Sequence, residues 1–147
     1  MLAVRQEIQK SGGAVHVACT YNKPMSALSH MQFTSVVPDP IIVDSIHHVD
    51  LLRWLAGNTL ESAANPIEVY SVVQDGMRTG AHRHNASIKF DTGAIGSMMS
   101  HFGVGYRIQR AEVHAEDLSF YMDLTTKDRR VEYYRDGEKM QWKLDLE

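Results

Sequence analysis

The sequence predicts an α+β fold: one large, mainly antiparallel β-sheet with helices packed on one of its faces. The segments that follow position 66 alternate apolar and polar residues, which is the period of strands with one buried face. Turn signals separate them at Asp75-Gly76, Asp91-Thr92-Gly93 and Asp136-Gly137. Their short spacing suits antiparallel hairpins rather than parallel crossovers. Two helical patterns precede these strands, and helices on one face of an antiparallel sheet define the α+β class.

The first predicted elements are a short helix and a strand. Residues 3–13 place apolar side chains at helical spacing and end in Gly12-Gly13, a common C-terminal stop. Residues 14–21 alternate, so they predict a strand with one buried face that includes Tyr21. The segment 22–38 is irregular and long, and connections of that length in compact domains are often functional.

The remaining strands follow from alternation and from the turn signals that bound them. They are predicted at 67–73, 84–90, 94–102, 107–114, 118–125 and in a hairpin over 130–146. The sequence has no internal repeat and no low-complexity linker. We therefore expect residues 1–147 to form a single domain.

Composition excludes several classes of protein. The 147 residues carry a net charge of −3, which gives no reason to expect a nucleic acid or an anionic membrane as a partner. Cys19 is the only cysteine, so an intrachain disulfide and a thiolate zinc site are both excluded. No run approaches the ~18 to 20 apolar residues of a membrane helix. The segment MLAVRQEIQK lacks the apolar core of a signal peptide, so a cytoplasmic location is expected.

The central helix carries ionisable groups on an otherwise apolar surface. Asp39 is the expected N-cap, Pro40 the first helical residue, and Gly57 the stop. At about 100° per residue, Asp44, His47 and His48 share an arc of about 100°, while apolar residues occupy most other directions. Buried ionisable groups are either paired or line a cleft. Two interpretations therefore stay open: a self-satisfied carboxylate–histidine pair in the core, or a histidine that acts as a general acid and base.

The order of motifs resembles the C-terminal domain of the Gfo/Idh/MocA oxidoreductases, the family of glucose–fructose oxidoreductase and inositol dehydrogenase. The matching segments are the opening helix and Gly-Gly turn in VRQEIQKSGGAVHVACTY, and the buried helix motif of Asp44, His47, Asp50 and Gly57 in VDSIHHVDLLRWLAG. The hairpin IKFDTGAIGSMMS and the strand region YRIQRAEVHAEDLSFYMDL complete the match. The resemblance covers nearly the whole chain.

The resemblance implies a substrate-binding and oligomerisation domain of an NAD(P)-dependent dehydrogenase that acts on a sugar, cyclitol or related polyhydroxy compound. By the same resemblance, His47 is the proton acid and base, and Asp44 orients the hydroxyl or the imidazole. Many members place the aspartate four residues before the histidine, whereas Asp44 precedes His47 by three. His48 therefore stays open as the working base. We expect His48, Tyr21 and Lys23 to contact substrate.

The expected cofactor has no evident binding motif in this chain. In GVGYRI, Ile108 occupies the place of the third glycine of a dinucleotide fingerprint, and a strand pattern follows instead of a helix. The tripeptide Asn22-Lys23-Pro24 resembles the family's Glu-Lys-Pro but lies after the Gly-Gly turn, so Lys23 is expected in a loop near the pocket mouth. We therefore expect the N-terminal Rossmann domain to be absent, no cofactor on this chain alone, and no activity without that domain. The expected partners are a small polyhydroxy substrate and further copies of the chain, as a homodimer or higher oligomer through the sheet face.

Two alternative functions remain. His82 and His84 share one face of a strand and, with His101, or with His47 and Asp44, provide three candidate ligands for zinc or iron. A non-catalytic dimerisation module is the other alternative. Such a module would associate through an apolar stripe on one sheet face, although such a stripe is more often part of the core. The stripe consists of Ile88, Phe90, Met98, Phe102, Phe120, Met122, Trp142 and Leu144.

Overall fold

The computed structural model describes residues 1–24, 26, 41–75, 82–127 and 129–141. Two α-helices and eight strands are present in these ranges, and a single π-helical turn, Ile41–Ser45, runs directly into the second helix. The elements are α1 Leu2–Lys10, β1 His16–Lys23, α2 Ile46–Leu55, β2 Pro66–Gln74, β3 Arg83–Phe90, β4 Ile95–Phe102, β5 Ile108–His114, β6 Leu118–Asp123, β7 Arg130–Arg135 and β8 Glu138–Met140. None of the helices in these ranges is long and apolar enough to cross a membrane.

All eight strands form one sheet in the order β2-β3-β4-β1-β5-β6-β7-β8. Every pairing is antiparallel except that of β1 with β4, so the predicted mainly antiparallel α+β fold is confirmed. The first strand lies in the middle of the sheet, between two strands that come about 80 to 100 residues later in the chain. Alternation along a strand carries no information about which strand lies beside it, so the sequence did not predict this insertion.

The two helices cover one face of the sheet, and the core lies between them. α1 contributes Val4 and Ile8 to this core, and α2 contributes Leu52 and Leu55. The sequence did not decide whether the apolar stripe belongs to the core or to an interface. Its described members belong to the core. Its buried members are Ile88, Phe90, Met98, Phe102, Phe120 and Met122, while Trp142 and Leu144 lie outside the described residues.

Strand β2 forms one edge of the sheet and is exposed along its whole length. Its apolar side chains are therefore in contact with solvent on both faces, and Val72 reaches 71% exposure. Tyr70 and Val72 lie opposite Ser87 and Asn85 of β3, on the face that the helices leave open. An exposed apolar edge of this length is a surface that proteins usually cover.

Gly57 follows α2 as predicted, but for a different physical reason. Its backbone is not in the left-handed region, whereas Gly12 and Gly13 after α1 have φ values of 87° and 100°. Arg5 is fully buried, stacks on Trp54 with its guanidinium carbon 4.5 Å from the ring centre, and donates hydrogen bonds to the carbonyls of Thr59 and Ser62. Because Gly57 has no Cβ, the guanidinium of Arg5 and the carbonyl of Ser62 can occupy the space beside it. The predicted N-terminal signals of the helix, Asp39 and Pro40, lie outside the described residues.

We predict that Gly57→Ala destabilises the domain, because a Cβ at this position collides with the Ser62 carbonyl and the Arg5 guanidinium. The expected loss in the free energy of unfolding is about 1–3 kcal/mol, the usual cost of overpacking. Gly105→Ala is the matched control, since a Cβ there meets nothing within 4 Å, and its expected effect is within about 0.5 kcal/mol. Urea denaturation followed by circular dichroism measures both. Equal stability of the two variants would contradict this role of Gly57.

Candidate functional site

A buried ion pair joins the end of the central strand to the helix that covers it. Tyr21 and Lys23 lie on the buried face of β1 because its side chains alternate inward and outward. Asp44, in the π turn, accepts a hydrogen bond from the Tyr21 hydroxyl at 2.9 Å and another from the Lys23 ammonium at 2.6 Å. The two ionic side chains are only 11% and 12% exposed. Each carboxylate oxygen thus has a donor, and the buried charges compensate each other.

His48 completes this cluster from the first turn of α2. Its imidazole stacks on the Tyr21 ring, with ring centres 4.1 Å apart and planes inclined by 24°. The residue is 7% exposed, and its Nδ1 atom has no hydrogen-bond partner among the residues that the structure describes. Within the described part of the chain, the site therefore contains one nitrogen atom, His48 Nδ1, whose hydrogen-bonding capacity is not satisfied.

Burial is the main influence on the protonation of His48 and lowers its pKa to about 4. The negative charge of Asp44 opposes this shift, whereas His47, Lys23 and Arg107 add to it. The imidazole is consequently neutral at physiological pH and carries a nitrogen lone pair that accepts hydrogen bonds. Burial and the hydrogen bond to Asp44 raise the pKa of Tyr21, so that its hydroxyl remains a donor.

A second buried hydrogen bond holds the π turn against the sheet. The hydroxyls of Ser45 and Ser100 lie 2.6 Å apart, and both residues are fully buried. Ser100 is the partner of Tyr21 in the parallel pairing of β1 with β4. Phe102, two residues further along β4, meets the Tyr21 ring edge-on at 6.1 Å. In the sequence, Ser100 belongs to the hairpin motif IKFDTGAIGSMMS and Phe102 to the apolar stripe, and neither pattern predicts a place in the site.

The structure separates the two adjacent histidines. His47 is exposed and lines a shallow apolar hollow with Met1, Leu51 and Trp54, whereas His48 packs on Tyr21. The common arc expected for Asp44, His47 and His48 is not observed, because Asp44 lies in a π turn. Hydrogen bonds in such a turn span five residues instead of four. The angles of a regular α-helix therefore do not describe the position of Asp44 relative to α2.

Two further residues singled out in the sequence, Lys23 and Asp50, lie in different environments. Lys23 is the last residue of a strand and is buried, whereas the sequence analysis expected a loop lysine near the pocket mouth. Alternation in β1 contained a signal for this position, since Lys23 continues the buried series of Val17, Cys19 and Tyr21. Asp50 is exposed and pairs with Arg53 at 3.9 Å.

The histidines considered as metal ligands bind protein groups instead. The Nδ1 atom of His82 lies 2.9 Å from Asp75, and the Nε2 atom of His101 lies 3.1 Å from the Asn85 side-chain oxygen. His84 is buried, with its ring centre 6.1 Å from that of His82. Within the described ranges, no group of three or more His, Cys, Asp or Glu side chains is arranged to hold a metal ion. The geometry therefore gives the metal alternative no support.

The glycine-rich segment between β4 and β5 does not fit a dinucleotide. Gly103 and Gly105 connect two strands, so the segment lacks the helix whose N-terminus binds the pyrophosphate in that motif. The Gly103 and Val104 amides instead donate to the Lys23 carbonyl, at 2.9 and 3.4 Å. The segment therefore belongs to the rim of the ion-pair cluster.

We predict that acidification destabilises the domain through His48. The histidine pKa is about 6.5 in an unfolded chain and about 4 in the folded one. Between these values the folded state binds fewer protons, so the contribution of His48 to stability is complete above pH ~6.5 and declines as the pH falls to ~4. His48→Phe, which retains the ring stack, should weaken this pH dependence, whereas the exposed His47→Gln should preserve it. Denaturant titrations from pH 7 to pH 4 measure it, and identical slopes for wild type and His48→Phe would contradict the assignment.

Comparison of the sequence with protein-family models and with curated proteins gave no match. Solved structures do match. UDP-N-acetylglucosamine 3-dehydrogenase from Acidithiobacillus ferrooxidans is 18% identical, with a TM-score of 0.65 over 92% of this chain and 42% of that protein. Levoglucosan dehydrogenase bound to NADH and levoglucosan is 16% identical, with a TM-score of 0.71 over 92% and 40%. The WlbA dehydrogenase from Bordetella pertussis, bound to NADH and UDP-GlcNAcA, is 18% identical, with a TM-score of 0.68 over 92% and 42%.

This chain thus spans about two fifths of the length of these dehydrogenases. The matched part of each dehydrogenase covers nearly the whole of this chain. The matching structures are sugar dehydrogenases of the Gfo/Idh/MocA type. The chain has the fold of the C-terminal domain of the Gfo/Idh/MocA oxidoreductases, as the order of its sequence motifs predicted.

Proposed function

We propose that this chain is the substrate-binding domain of an NAD(P)-dependent dehydrogenase that oxidises a hydroxyl of a sugar, cyclitol or related polyhydroxy compound. The observation that carries this proposal is the contact of a buried, neutral histidine with a tyrosine–carboxylate–lysine network at the end of the central strand. Three of the matching dehydrogenases support it, since each is named for, or bound to, a sugar or nucleotide sugar, and two of them contain NADH.

Each side chain of the network has a distinct chemical task in this proposal. His48 accepts the proton of the reacting hydroxyl, because its imidazole is unprotonated at neutral pH. Asp44 stabilises the imidazolium that then forms, just as its charge already opposes the lowered pKa of His48. Asp44 takes the one proton that the Tyr21 hydroxyl can donate, so the Tyr21 oxygen accepts from a substrate hydroxyl. The Lys23 ammonium has two further N–H groups that donate to substrate oxygens, and Asp44 holds both side chains in place. A nicotinamide cofactor bound by a nucleotide-binding domain would supply the hydride acceptor.

The geometry favours His48 over His47 for the proton transfer. The sequence motif favoured His47, three residues before Asp50, but this side chain is exposed and faces the hollow beside Met1 and Trp54. His48 is the histidine that contacts Tyr21 and responds to the charge of Asp44. Because a proton acceptor must lie within hydrogen-bond reach of the hydroxyl bound by its neighbours, we assign the role to His48.

We predict that levoglucosan, used as a probe, shifts the ring resonances of His48 and Tyr21 saturably in NMR titrations of this chain. Asp44→Asn should weaken binding at least tenfold, equivalent to about 1.4 kcal/mol, because the donors of Tyr21 and Lys23 lose their common acceptor. Asp50→Asn is the matched control on the exposed side of the same helix and should leave binding unchanged. Circular dichroism verifies the fold of both variants.

The same titration distinguishes the two histidines. His48→Asn should weaken levoglucosan binding and, in an enzyme that unites this chain with a nucleotide-binding domain, lower kcat by at least 100-fold, as loss of a general base does. His47→Asn should alter neither by more than about twofold. The reverse pattern would restore the assignment to His47, and an absence of any shift at His48 or Tyr21 would contradict the proposed function.

We also propose that the open face of the sheet mediates assembly into a homodimer or higher oligomer. A shallow groove on this face is bordered by Thr20, Tyr70, Val72 and Met99, and the last three are exposed. The helices cover the opposite face, so this apolar surface has no cover within the described part of the chain. Contiguous exposed apolar surface of this kind marks protein interfaces.

Val72→Asp should therefore weaken self-association at least tenfold, because it places a charge in the apolar groove. Leu60→Asp, at an exposed apolar position beyond α2, is the control and should leave association unchanged. Light scattering over a concentration series measures both. A wild-type chain that is monomeric at every concentration would overturn the proposal.

A further inference from the structure

We propose that Arg107 selects substrates that carry an anionic group, a carboxylate or a phosphate, beside the hydroxyl that reacts. This inference rests on the proposed function, because it names the substrate class of the same site. It comes from the position of Arg107 at the rim of the ion-pair cluster and from the charge balance of that cluster.

The backbone holds the segment of Arg107 against the end of the central strand. The amides of Gly103 and Val104 both donate to the carbonyl of Lys23. Gly103 has a φ of 76°, a conformation that favours glycine, and the chain turns there from β4 towards β5. Arg107 then immediately precedes β5, the strand that pairs with β1 on the side opposite β4.

The side chain of Arg107 is directed towards the site by Gln109. The Nη2 atom of Arg107 donates to the Gln109 side-chain oxygen at 3.0 Å. Gln109 lies directly opposite Tyr21 in the pairing of β1 with β5, and residues directly opposite share a face of the sheet. The guanidinium is therefore held beside the Tyr21 ring. Burial and Asp44 raise the pKa of Tyr21, and the charge of Arg107 opposes this rise. Burial lowers the pKa of His48, and the charge of Arg107 adds to this decrease.

Among the described residues of the cluster, Arg107 is the cation without a carboxylate partner. Lys23 and Asp44 form an ion pair, and His48 is neutral at physiological pH. Arg107 is exposed, and no carboxylate of the described residues lies within ion-pair distance of it. Within the described part of the chain, the rim of the site therefore carries a positive charge without a counter-ion, beside the nitrogen and oxygen atoms that would bind the reacting hydroxyl.

An anionic substituent is the chemical complement of this arrangement. A guanidinium binds carboxylate and phosphate oxygens through two parallel hydrogen bonds, which fixes the orientation of the ligand as well as adding affinity. A neutral polyol offers only hydroxyl oxygens and would leave the charge of Arg107 without a partner. Arg107 thus acts as a specificity residue, and the reacting hydroxyl remains at His48.

The test compares three probes that share one ring: D-glucose, D-glucuronate and D-glucose 6-phosphate. NMR titrations of the wild-type chain follow the rings of His48 and Tyr21 at low ionic strength, where an exposed charge acts most strongly. We expect glucuronate, glucose 6-phosphate or both to bind at least tenfold more tightly than glucose. The anion with the greater gain distinguishes a carboxylate from a phosphate substrate.

Arg107→Gln should reduce the preference for the anionic probes over glucose to less than about threefold. Arg110→Gln is the matched control, since Arg110 is an exposed arginine of β5 that pairs with Asp123 at 3.3 Å. It should retain the full preference. Equal affinities of the three probes for the wild type, or an undiminished preference in Arg107→Gln, would overturn the inference while the polyol site stands. Failure of all three probes to shift His48 or Tyr21 would overturn the proposed function and this inference with it.

Discussion

The buried pair of Lys23 and Asp44 is the interaction on which the site depends. It connects the last residue of the central strand to the π turn before α2, at 2.6 Å, and Tyr21 and His48 are arranged around it. A lysine in this position needs a counter-charge, because loss of one partner of a buried pair costs about 3–5 kcal/mol. The pair therefore holds the π turn, and with it the start of α2, against the end of the central strand.

The position of β1 in the middle of the sheet explains why the site lies at the C-terminal end of that strand. β1 and β4 run parallel, so Lys23 and Phe102 end their strands side by side. The turn that leaves β4 crosses this end and bonds to the Lys23 carbonyl, which brings Arg107 to the rim. A hairpin partner for β1 would have placed a tight turn there instead. The one parallel pairing of the sheet thus creates the polar end at which helix, strand and loop converge.

Much of the fold was predictable because it follows from local patterns. Strand alternation identified all the strands of the sheet, although it ended the first one at Tyr21 and left Lys23 in a loop. Lys23 nevertheless continues the alternation of Val17, Cys19 and Tyr21. The α2 helix was recognisable from its apolar surface. The phase of Asp44 relative to His47 and His48 was not predictable, since the calculation assumed a regular α-helix where the structure has a π turn.

The sequence by itself determined the class of the fold, the strands and helices, and the set of residues from which a site would be built. Those features depend on periodicity and on local turn chemistry, which are properties of neighbouring residues. Only the tertiary structure decided that Lys23 pairs with Asp44, that Ser100 contacts Ser45, and that His48 rather than His47 stacks on Tyr21. These contacts join residues 21 to 55 positions apart in the chain, and no local pattern specifies them.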